Sequence, residues 1–358
     1  MNNVTILITA AGTQSMPGLA DCFHKNGERE VRIVATDMND DKTILHMADA
    51  FYRVPRVTDP SYIESLLTIC EKEKVDIFFP FMDEELDLVL GAIDKFSKLG
   101  TKVSISSKRA IQITNDKLDF YDFLSSNGIY VPEYYCAETI QEVVKACKKL
   151  GYPDKAVCVK TTNGSGSRGI RILKADESLY DIFVNEKPNT MVTTLEYFIS
   201  ILQQADTLEK MIVMEYLPGK EASVDLLAID GKVKYMVGRV SSNVLASIPQ
   251  DSVLEEIPEA YELCRKVVEL LGYDGNADFD FKYNAEGKPI LMELNPRLAA
   301  TLSIIAMGGV NLPYLRVKQL LGEELPSIDV RYGVRMKRRY LDMFVDEDGK
   351  LLSCLWLT

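Results

Sequence analysis

The first hundred residues alternate between short apolar strand patterns and helix patterns, and this alternation restricts the fold more than any other feature. Strands are predicted at 4–9, 31–36, 76–81 and 102–106, with helices between them. Strands that alternate with helices in this way form βαβ units around a parallel sheet. We therefore predict a parallel, doubly wound α/β domain over residues 1–108.

Polar segments follow three of these strands. They are the loop 12–18, Asp37 and the acidic run 83–85. Ligands of doubly wound sheets gather at the carboxyl ends of strands, so we expect these segments to surround one crevice. The first loop lacks G-x-G-x-x-G and contains Pro17, which disfavours a dinucleotide site. A crevice that contacts substrate and a purely structural loop both stay open.

Beyond residue 106 the predicted strands form antiparallel runs with helices packed beside them, so this part is predicted to be α+β. Asp116 is expected to cap a helix that continues to Ser125. Further helices are predicted here at 140–150, 194–204, 258–271 and 311–321, and strands at 156–160, 169–174, 211–216, 223–229 and 232–240; the last helix of the first hundred residues is predicted at 84–99. We assign residues 109–325 to this fold, with subdomains 109–190 and 191–325, and residues 326–358 to a C-terminal β tail with a basic strand at 330–344.

Charge and composition exclude several classes of function. The net charge of −12 disfavours binding to nucleic acid or to an anionic membrane. No apolar run reaches the ~18 residues that span a bilayer, and no basic leader precedes the first strand, so we expect a protein without membrane segment or signal peptide. The seven cysteines are dispersed without a C-x-x-C pair, which indicates reduced thiols and a cytoplasmic location. With only two histidines in the chain, acid–base chemistry by histidine is not expected.

An acidic hairpin is the most informative site motif. Asp280 lies in one predicted strand, a turn follows at 284–287, and the next strand carries Glu293, with Asn295 and Arg297 at alternate positions after it. Alternate residues of a strand face the same side, so these side chains are expected to converge. Carboxylate and amide oxygens suit Mg²⁺, and arginine binds phosphate, which favours a site for a magnesium-bound polyphosphate over a solvated hairpin.

A glycine-rich segment follows the predicted strand 156–160. Gly164, Gly166 and Gly169 form G-x-G-x-x-G, but the β-branched run after them predicts a second strand, where a dinucleotide-binding loop would begin a helix. Such a hairpin loop can cover phosphates with its backbone N–H groups. Lys160 enters the loop and is placed to reach a phosphate, which a simple turn does not explain.

Two weaker features precede the hairpin. The segment 214–219 ends a strand in a turn, where backbone groups of Glu215, Tyr216 and Leu217 could meet an adenine edge. Glu221 follows and could bind ribose hydroxyls.

Arg239 is a candidate contact for a reacting carboxylate, although it could equally cap its strand. The basic residues between 331 and 339 could bind an acidic substrate or protect an edge strand.

The order of these motifs resembles the ATP-grasp superfamily and is most similar to the biotin carboxylase and carbamoyl-phosphate synthase type. Asp116-Lys117 comes first, followed by Val159-Lys160 with the glycine loop, Glu215-Tyr216-Leu217, Asp280, and Glu293-x-Asn295-x-Arg297. The resemblance covers residues 110–325, and the region before it is similar to the usual N-terminal domain of that family. It implies an ATP-grasp fold of two α+β subdomains that clamp ATP, and a family-typical homodimer.

The resemblance also implies roles for individual residues. The implied ATP contacts are Lys117, Lys160, Gly164, Ser165, Gly166, Ser167, Gly169, Glu215, Tyr216, Leu217 and Glu221. The implied ligands for one or two Mg²⁺ ions, which Mn²⁺ could replace, are Asp280, Glu293 and Asn295. Arg297 would lie near the γ-phosphate. Relatives often carry Glu or Gln at the position of Asp280, so its shorter side chain is expected to weaken or reposition one ion without abolishing activity.

The chemistry implied is that of an ADP-forming carboxylate–amine ligase. A carboxylate attacks the γ-phosphorus to give an acyl phosphate, and an amine then displaces phosphate. The protein contributes positioning and charge neutralisation, with Arg297, Lys160 and Arg239 as the catalytic candidates. Carbamate phosphorylation, as in carbamoyl-phosphate synthesis, is an alternative. A non-catalytic nucleotide-binding regulator is a second alternative, although no magnesium ligand or phosphate-binding lysine is missing.

Overall fold

The computed structural model describes residues 3–162, 168–186, 190–245, 248–339 and 342–354. The chain divides into two compact units. One contains Met1–Asn115, Glu221–Phe281 and Glu293–Thr358, and the other contains Asp116–Lys220 and Lys282–Met292. The domain borders drawn from the sequence at residues 108, 190 and 325 stay predictions.

The N-terminal part of the first unit is a five-stranded parallel sheet with the strand order β3-β2-β1-β4-β5. Its elements are β1 Val4–Ile8, α1 Met16–His24, β2 Val31–Asp37, β3 Ala50–Arg53, α2 Tyr62–Glu73, β4 Ile77–Phe79, α3 Leu86–Gly91, α4 Ile93–Lys98 and β5 Lys102–Val103. The predicted doubly wound α/β architecture is confirmed. The edge strand β3 was not predicted, since its four residues lack a clear apolar alternation.

Both faces of this sheet are covered. Ile6 and Ile8 of β1 lie in an apolar cluster with Phe23 of α1, whereas Leu7 lies in a separate cluster with Leu66 of α2. The alternation follows from the two-residue period of a strand. Because the strands are buried on both faces, they read as continuous apolar runs in the sequence.

The second unit is built on a five-stranded sheet with the order β6-β10-β7-β8-β9. Its elements are α6 Lys117–Ser126, β6 Tyr134–Ala137, α7 Ile140–Lys149, β7 Val157–Thr161, β8 Ile170–Leu173, α8 Leu179–Asn185, β9 Val192–Thr193, α9 Leu195–Leu202 and β10 Met211–Glu215. The β7–β8 pair is antiparallel, as predicted for strands joined by a glycine-rich hairpin loop. The Asp116 side chain caps α6 by accepting from the N–H groups of Leu118 and Asp119 at 2.8 and 3.1 Å.

A third sheet, of six strands, has the order β15-β14-β11-β12-β13-β16. The remaining elements are α5 Lys108–Asn115, β11 Glu221–Ile229, β12 Lys232–Leu245, β13 Ile248–Leu254, α10 Pro258–Leu271, β14 Gly275–Tyr283, β15 Pro289–Asn295, α11 Leu302–Met307, α12 Leu312–Leu321, β16 Arg335–Lys337, β17 Met343–Val345 and β18 Leu351–Cys354. Among the residues described, no helix is long and apolar enough to cross a bilayer.

Two predicted elements were too long. The helix predicted at 84–99 is interrupted, because the chain leaves α3 at Gly91 and Ala92 before α4 begins, and glycine is a poor helix former. Within the described residues of the basic strand predicted at 330–344, strand structure is confined to Arg335–Lys337, which pairs with Asp251, Ser252 and Val253 of β13, and to the beginning of Met343–Val345.

Candidate active site

The acidic hairpin of β14 and β15 forms the centre of the candidate site in the first unit. The Asp280 carboxylate accepts a hydrogen bond from Ser223 Oγ at 2.7 Å and another from Asn295 Nδ2 at 3.1 Å. Asn295 Oδ1 in turn accepts from Arg297 Nη2 at 3.2 Å. The predicted convergence of Asp280, Asn295 and Arg297 is therefore present in the structure.

Further carboxylates lie beside Asp280. Asp278 is two residues earlier on β14, Asp225 comes from the adjacent strand β11, and both are buried. Glu293 acts electrostatically on Asp278 and on Asp280. Sequence reasoning missed Asp278 and Asp225, although the i, i+2 spacing of Asp278 and Asp280 was a usable signal.

Arg239 is the buried counter-ion of this acidic group. Its guanidinium pairs with Asp225 at 2.8 Å and with Asp278 at 3.1 Å, and it donates to Ser241 Oγ at 3.3 Å. The side chain is only 5% exposed. Arg239 thus contacts the carboxylates of Asp225 and Asp278, and its predicted contact with a substrate carboxylate stays a prediction.

Burial makes the acids of β14 hard to ionise. Burial, and next the neighbouring Asp225, raises the pKa of Asp278 to about 6. Burial, and next Asp278, raises the pKa of Asp280 to about 7, against the opposing effect of Arg239. Electrostatic repulsion acts on Asp280 from both Asp278 and Glu293, and a bound divalent cation would reduce it.

The donor set fits magnesium on chemical grounds. No group of three or more His, Cys, Asp or Glu side chains among the described residues has a metal-binding arrangement. Mg²⁺ does not need one, because it is usually held by one or two carboxylates together with phosphate oxygens and water. Asp280 and Glu293 would supply the carboxylates, and the amide of Asn295 would supply a third oxygen.

The second unit contains the predicted nucleotide contacts. Lys117 is buried in the first turn of α6, and Lys160 lies on β7 opposite Ile170 of β8. Burial raises the pKa of the Cys158 thiol, whereas Lys160 and Lys282 lower it, so both cations lie near this thiol. Lys282 was not singled out from the sequence, although it stands two residues after Asp280.

The described end of the glycine-rich loop is held by a backbone hydrogen bond. Gly169 has φ +71°, and its carbonyl accepts from Thr161 N–H at 3.1 Å. A Cβ at this position would lie 2.4 Å from Thr161 Oγ1, so only glycine fits. Gly164, Ser165, Gly166 and Ser167 lie outside the described residues.

The predicted adenine segment follows β10. Glu215 is exposed and accepts from Tyr130 Oη at 3.5 Å, Tyr216 is half-buried, and Leu217 is buried. Gly219 N–H donates to the carbonyl of Tyr283 at 2.9 Å, which joins this segment to the tip of the acidic hairpin. Glu221 begins β11 opposite Ser241 and belongs to the first unit.

Two family models match the chain. Residues 207–339 match "ATP-grasp in the biosynthetic pathway with Ter operon", and residues 6–104 match "PylC-like, N-terminal domain". Among curated proteins, the carbamoyl phosphate synthase large chain of Clostridium acetobutylicum is 24% identical over 288 residues, which cover 77% of this chain and 25% of that protein. The carbamoyl phosphate synthase arginine-specific large chain of Bacillus subtilis is 22% identical over 310 residues, which cover 82% of this chain and 27% of that protein. The chain thus spans about a quarter of the length of these relatives.

Solved structures share the fold across nearly the whole chain. N5-carboxyaminoimidazole synthetase from Staphylococcus aureus, complexed with ADP, has a TM-score of 0.67 at 16% identity and covers 96% of this chain and 82% of its own. Biotin carboxylase from Campylobacter jejuni has a TM-score of 0.65 at 20% identity, covering 90% and 72%.

These matches define the class of protein. The chain has the ATP-grasp fold, and the resemblance drawn from its motifs is confirmed. Residues 207–339 match an ATP-grasp family model, and the chain is similar to carbamoyl phosphate synthase large chains, biotin carboxylase and N5-carboxyaminoimidazole synthetase.

Proposed function

We propose that this chain is an ATP- and Mg²⁺-dependent carboxylate–amine ligase that forms an acyl phosphate and releases ADP and phosphate. The observation that carries the proposal is the hydrogen-bonded series Asp280–Asn295–Arg297, with Asp278 and Glu293 acting electrostatically on Asp280. This arrangement is suited to a divalent cation and a phosphoryl group side by side. An acyl phosphate needs no covalent enzyme nucleophile, since phosphorylation itself turns the carboxylate oxygen into a good leaving group.

In this proposal, Asp280, Glu293 and Asn295 hold magnesium, which when bound supplies charge neutralisation to the phosphates. Asn295 now donates from Nδ2 to Asp280. Its Oδ1, which accepts from Arg297 Nη2 here, would become available to the metal when the guanidinium moves to the transferred phosphoryl group. Arg297 binds the transferred phosphoryl group, and Arg239 acts through Asp225 and Asp278, which it keeps in place.

The proposed nucleotide contacts come from the second unit. Lys117 and Lys160 bind phosphates as point charges, and the loop that ends at Gly169 covers them, while Glu215, Tyr216 and Leu217 meet the adenine. We also propose that Glu221 contacts the ribose. The same proposal includes small-molecule carboxylate and amine substrates, a homodimer and a cytoplasmic location. The six cysteines whose side chains are described are free thiols, which supports that location.

ADP release from MgATP in the presence of pooled carboxylates and amines tests the reaction. Glu293→Gln should abolish substrate-dependent ADP release, whereas Glu286→Gln, in the exposed turn of the same hairpin, should leave it unchanged. With an ¹⁸O-labelled carboxylate, label should appear in the released phosphate. AMP in place of ADP, or unlabelled phosphate, would refute the acyl-phosphate mechanism.

Carbamate phosphorylation is the second candidate, and it is favoured by the curated relatives, which are carbamoyl phosphate synthase large chains. Under this alternative, ATP turnover should depend on bicarbonate together with ammonia, which form carbamate, and should convert the carbamate to an acid-labile carbamoyl phosphate with release of ADP. Tight ATP binding without turnover in any pool would instead support a nucleotide-binding regulator.

A further inference from the structure

The loop after β4 has a rigid backbone. The buried Glu85 carboxylate accepts from the N–H groups of Phe81 and Met82 at 2.8 and 3.0 Å, from Thr9 Oγ1 at 2.5 Å and from Tyr62 Oη at 2.6 Å. These four bonds join the ends of β1 and β4 to α2. These four side-chain bonds to Glu85 do not involve the Asp83 side chain.

Asp83, in this loop, has a different partner. Its Oδ2 accepts from Arg297 Nη2 at 3.1 Å, while its Oδ1 is buried and has no hydrogen-bond partner among the described residues. Buried carboxylate oxygens are normally paired, because an unpaired one is costly. One oxygen of Asp83 is unpaired and the other binds Arg297, and the hydrogen bonds that hold the loop do not involve this side chain. This combination indicates that the function of Asp83 is its contact with Arg297.

Arg297 stands between opposing acids. Asp83 attracts it from the loop after β4, while Asp278 and Asp280 attract it from β14. Nη2 is shared between Asp83 Oδ2 and Asn295 Oδ1, and Nη1 donates to the Leu298 carbonyl at 3.3 Å. Without Asp83, the strongest remaining attraction would move the guanidinium towards the carboxylates of β14.

We propose that Asp83 is a positioning residue for Arg297. It holds the guanidinium off Asp278 and Asp280, so that Arg297 keeps a position from which it can bind the transferred phosphoryl group and the Asp280 carboxylate stays available to magnesium. This inference rests on the proposed function, which assigns the phosphoryl group to Arg297.

Binding of a phosphoryl-transfer analogue tests the inference without knowledge of the substrates. Calorimetry would compare MgADP alone with MgADP plus aluminium fluoride, which mimics the transferred group. Asp83→Asn should bind MgADP within about threefold of wild type but lose about tenfold or more of the affinity gained from aluminium fluoride. Asp83→Glu should recover part of this gain, and Asp87→Asn, an exposed acid one turn later, should keep all of it.

A double-variant cycle separates positioning from a general structural effect. Asp83→Asn combined with Arg297→Met should bind the analogue no more weakly than Arg297→Met alone, since Asp83 acts only through the arginine. Full retention of the aluminium fluoride effect in Asp83→Asn, or additive losses in the double variant, would overturn the inference. If wild type binds no MgADP, the proposed function fails and the inference fails with it.

Discussion

The side-chain amide of Asn295 donates to the carboxylate of Asp280 at 3.1 Å, from one strand of the acidic hairpin to the other. This bond holds two proposed metal ligands together in the absence of a metal. Burial and the neighbouring Asp278 nevertheless make the Asp280 carboxylate hard to ionise, which has measurable consequences.

The stability of the metal-free protein should fall as pH rises through the range in which Asp280 ionises. Burial, and next Asp278, raises the pKa of Asp280 to about 7 from an ordinary value of 3.8. Below the ordinary value, the carboxyl is protonated in both the folded and unfolded states. Between the two values the unfolded chain releases the proton and the folded protein retains it, so the free energy of unfolding decreases with pH until about 7.

Urea unfolding in the presence of a chelator, at about pH 5 and about pH 8, measures this decrease. Asp280→Asn cannot titrate and should show a smaller one, with the remainder due to Asp278. Equal decreases in the two proteins would contradict the assignment of the proton to Asp280. Added Mg²⁺ should stabilise wild type at the higher pH more than it stabilises Asp280→Asn.

Replacement of Arg239 by methionine should destabilise the first unit strongly. The substitution removes the cation and leaves Asp225 and Asp278 buried without it, which typically costs about 3–5 kcal/mol in the free energy of unfolding. Chemical denaturation measures the effect. Arg265→Met, on an exposed position of α10, is the control and should change stability by less than about 0.5 kcal/mol.

Gly169→Ala should be more harmful than Gly287→Ala. Both glycines have positive φ, +71° and +78°, so both substitutions incur the left-handed backbone strain of about 1 kcal/mol. Only at Gly169 would the new Cβ also collide with Thr161, since nothing lies within 4 Å of the site at Gly287. Thermal unfolding and the Kd for MgATP would compare the two variants, and equal losses would show that the clash at Gly169 is relieved at no cost.

Glu85→Leu should lower the free energy of unfolding by about 3 kcal/mol, because the donors from Thr9, Phe81 and Met82 lose their acceptor. Glu85→Gln should be much milder. Its Oε1 can keep these three bonds, and its amide can donate to the Tyr62 oxygen, which now donates to Oε2. A similar loss in both variants, measured by urea unfolding, would show that the charge of Glu85 matters more than its hydrogen bonds.

The side chain of Cys354 is not described, so the test uses a variant in which Cys354 is replaced by alanine. In the folded form of this variant, a thiol reagent should label Cys136 alone. Cys136 is exposed, whereas the other five cysteines are buried. Burial raises the pKa of Cys22 and Cys70 to about 12 and that of Cys147 to about 11, which lowers their thiolate fractions further. Titration with a thiol reagent should count one rapidly reacting group, rising to six after unfolding.

Local patterns predicted much of the fold and of the site. The apolar runs around Ile6 and Ile33 specified parallel strands, and the alternation of Glu293, Asn295 and Arg297 specified a shared face near Asp280. Such inferences succeed because strand periodicity is a property of the backbone alone. The short edge strand β3 was missed because its few residues do not show that periodicity.

The sequence by itself determined the order of the ATP-grasp motifs, the βαβ character of the first hundred residues and the chemical identity of the proposed ligands. Only the tertiary structure decided that Arg239 pairs with Asp225 and Asp278, and that Arg297 pairs with Asp83, more than 200 positions away along the chain. No periodicity relates such residues. Their contacts arise when separate elements pack and buried charges must find partners, a requirement that exists only in the folded core.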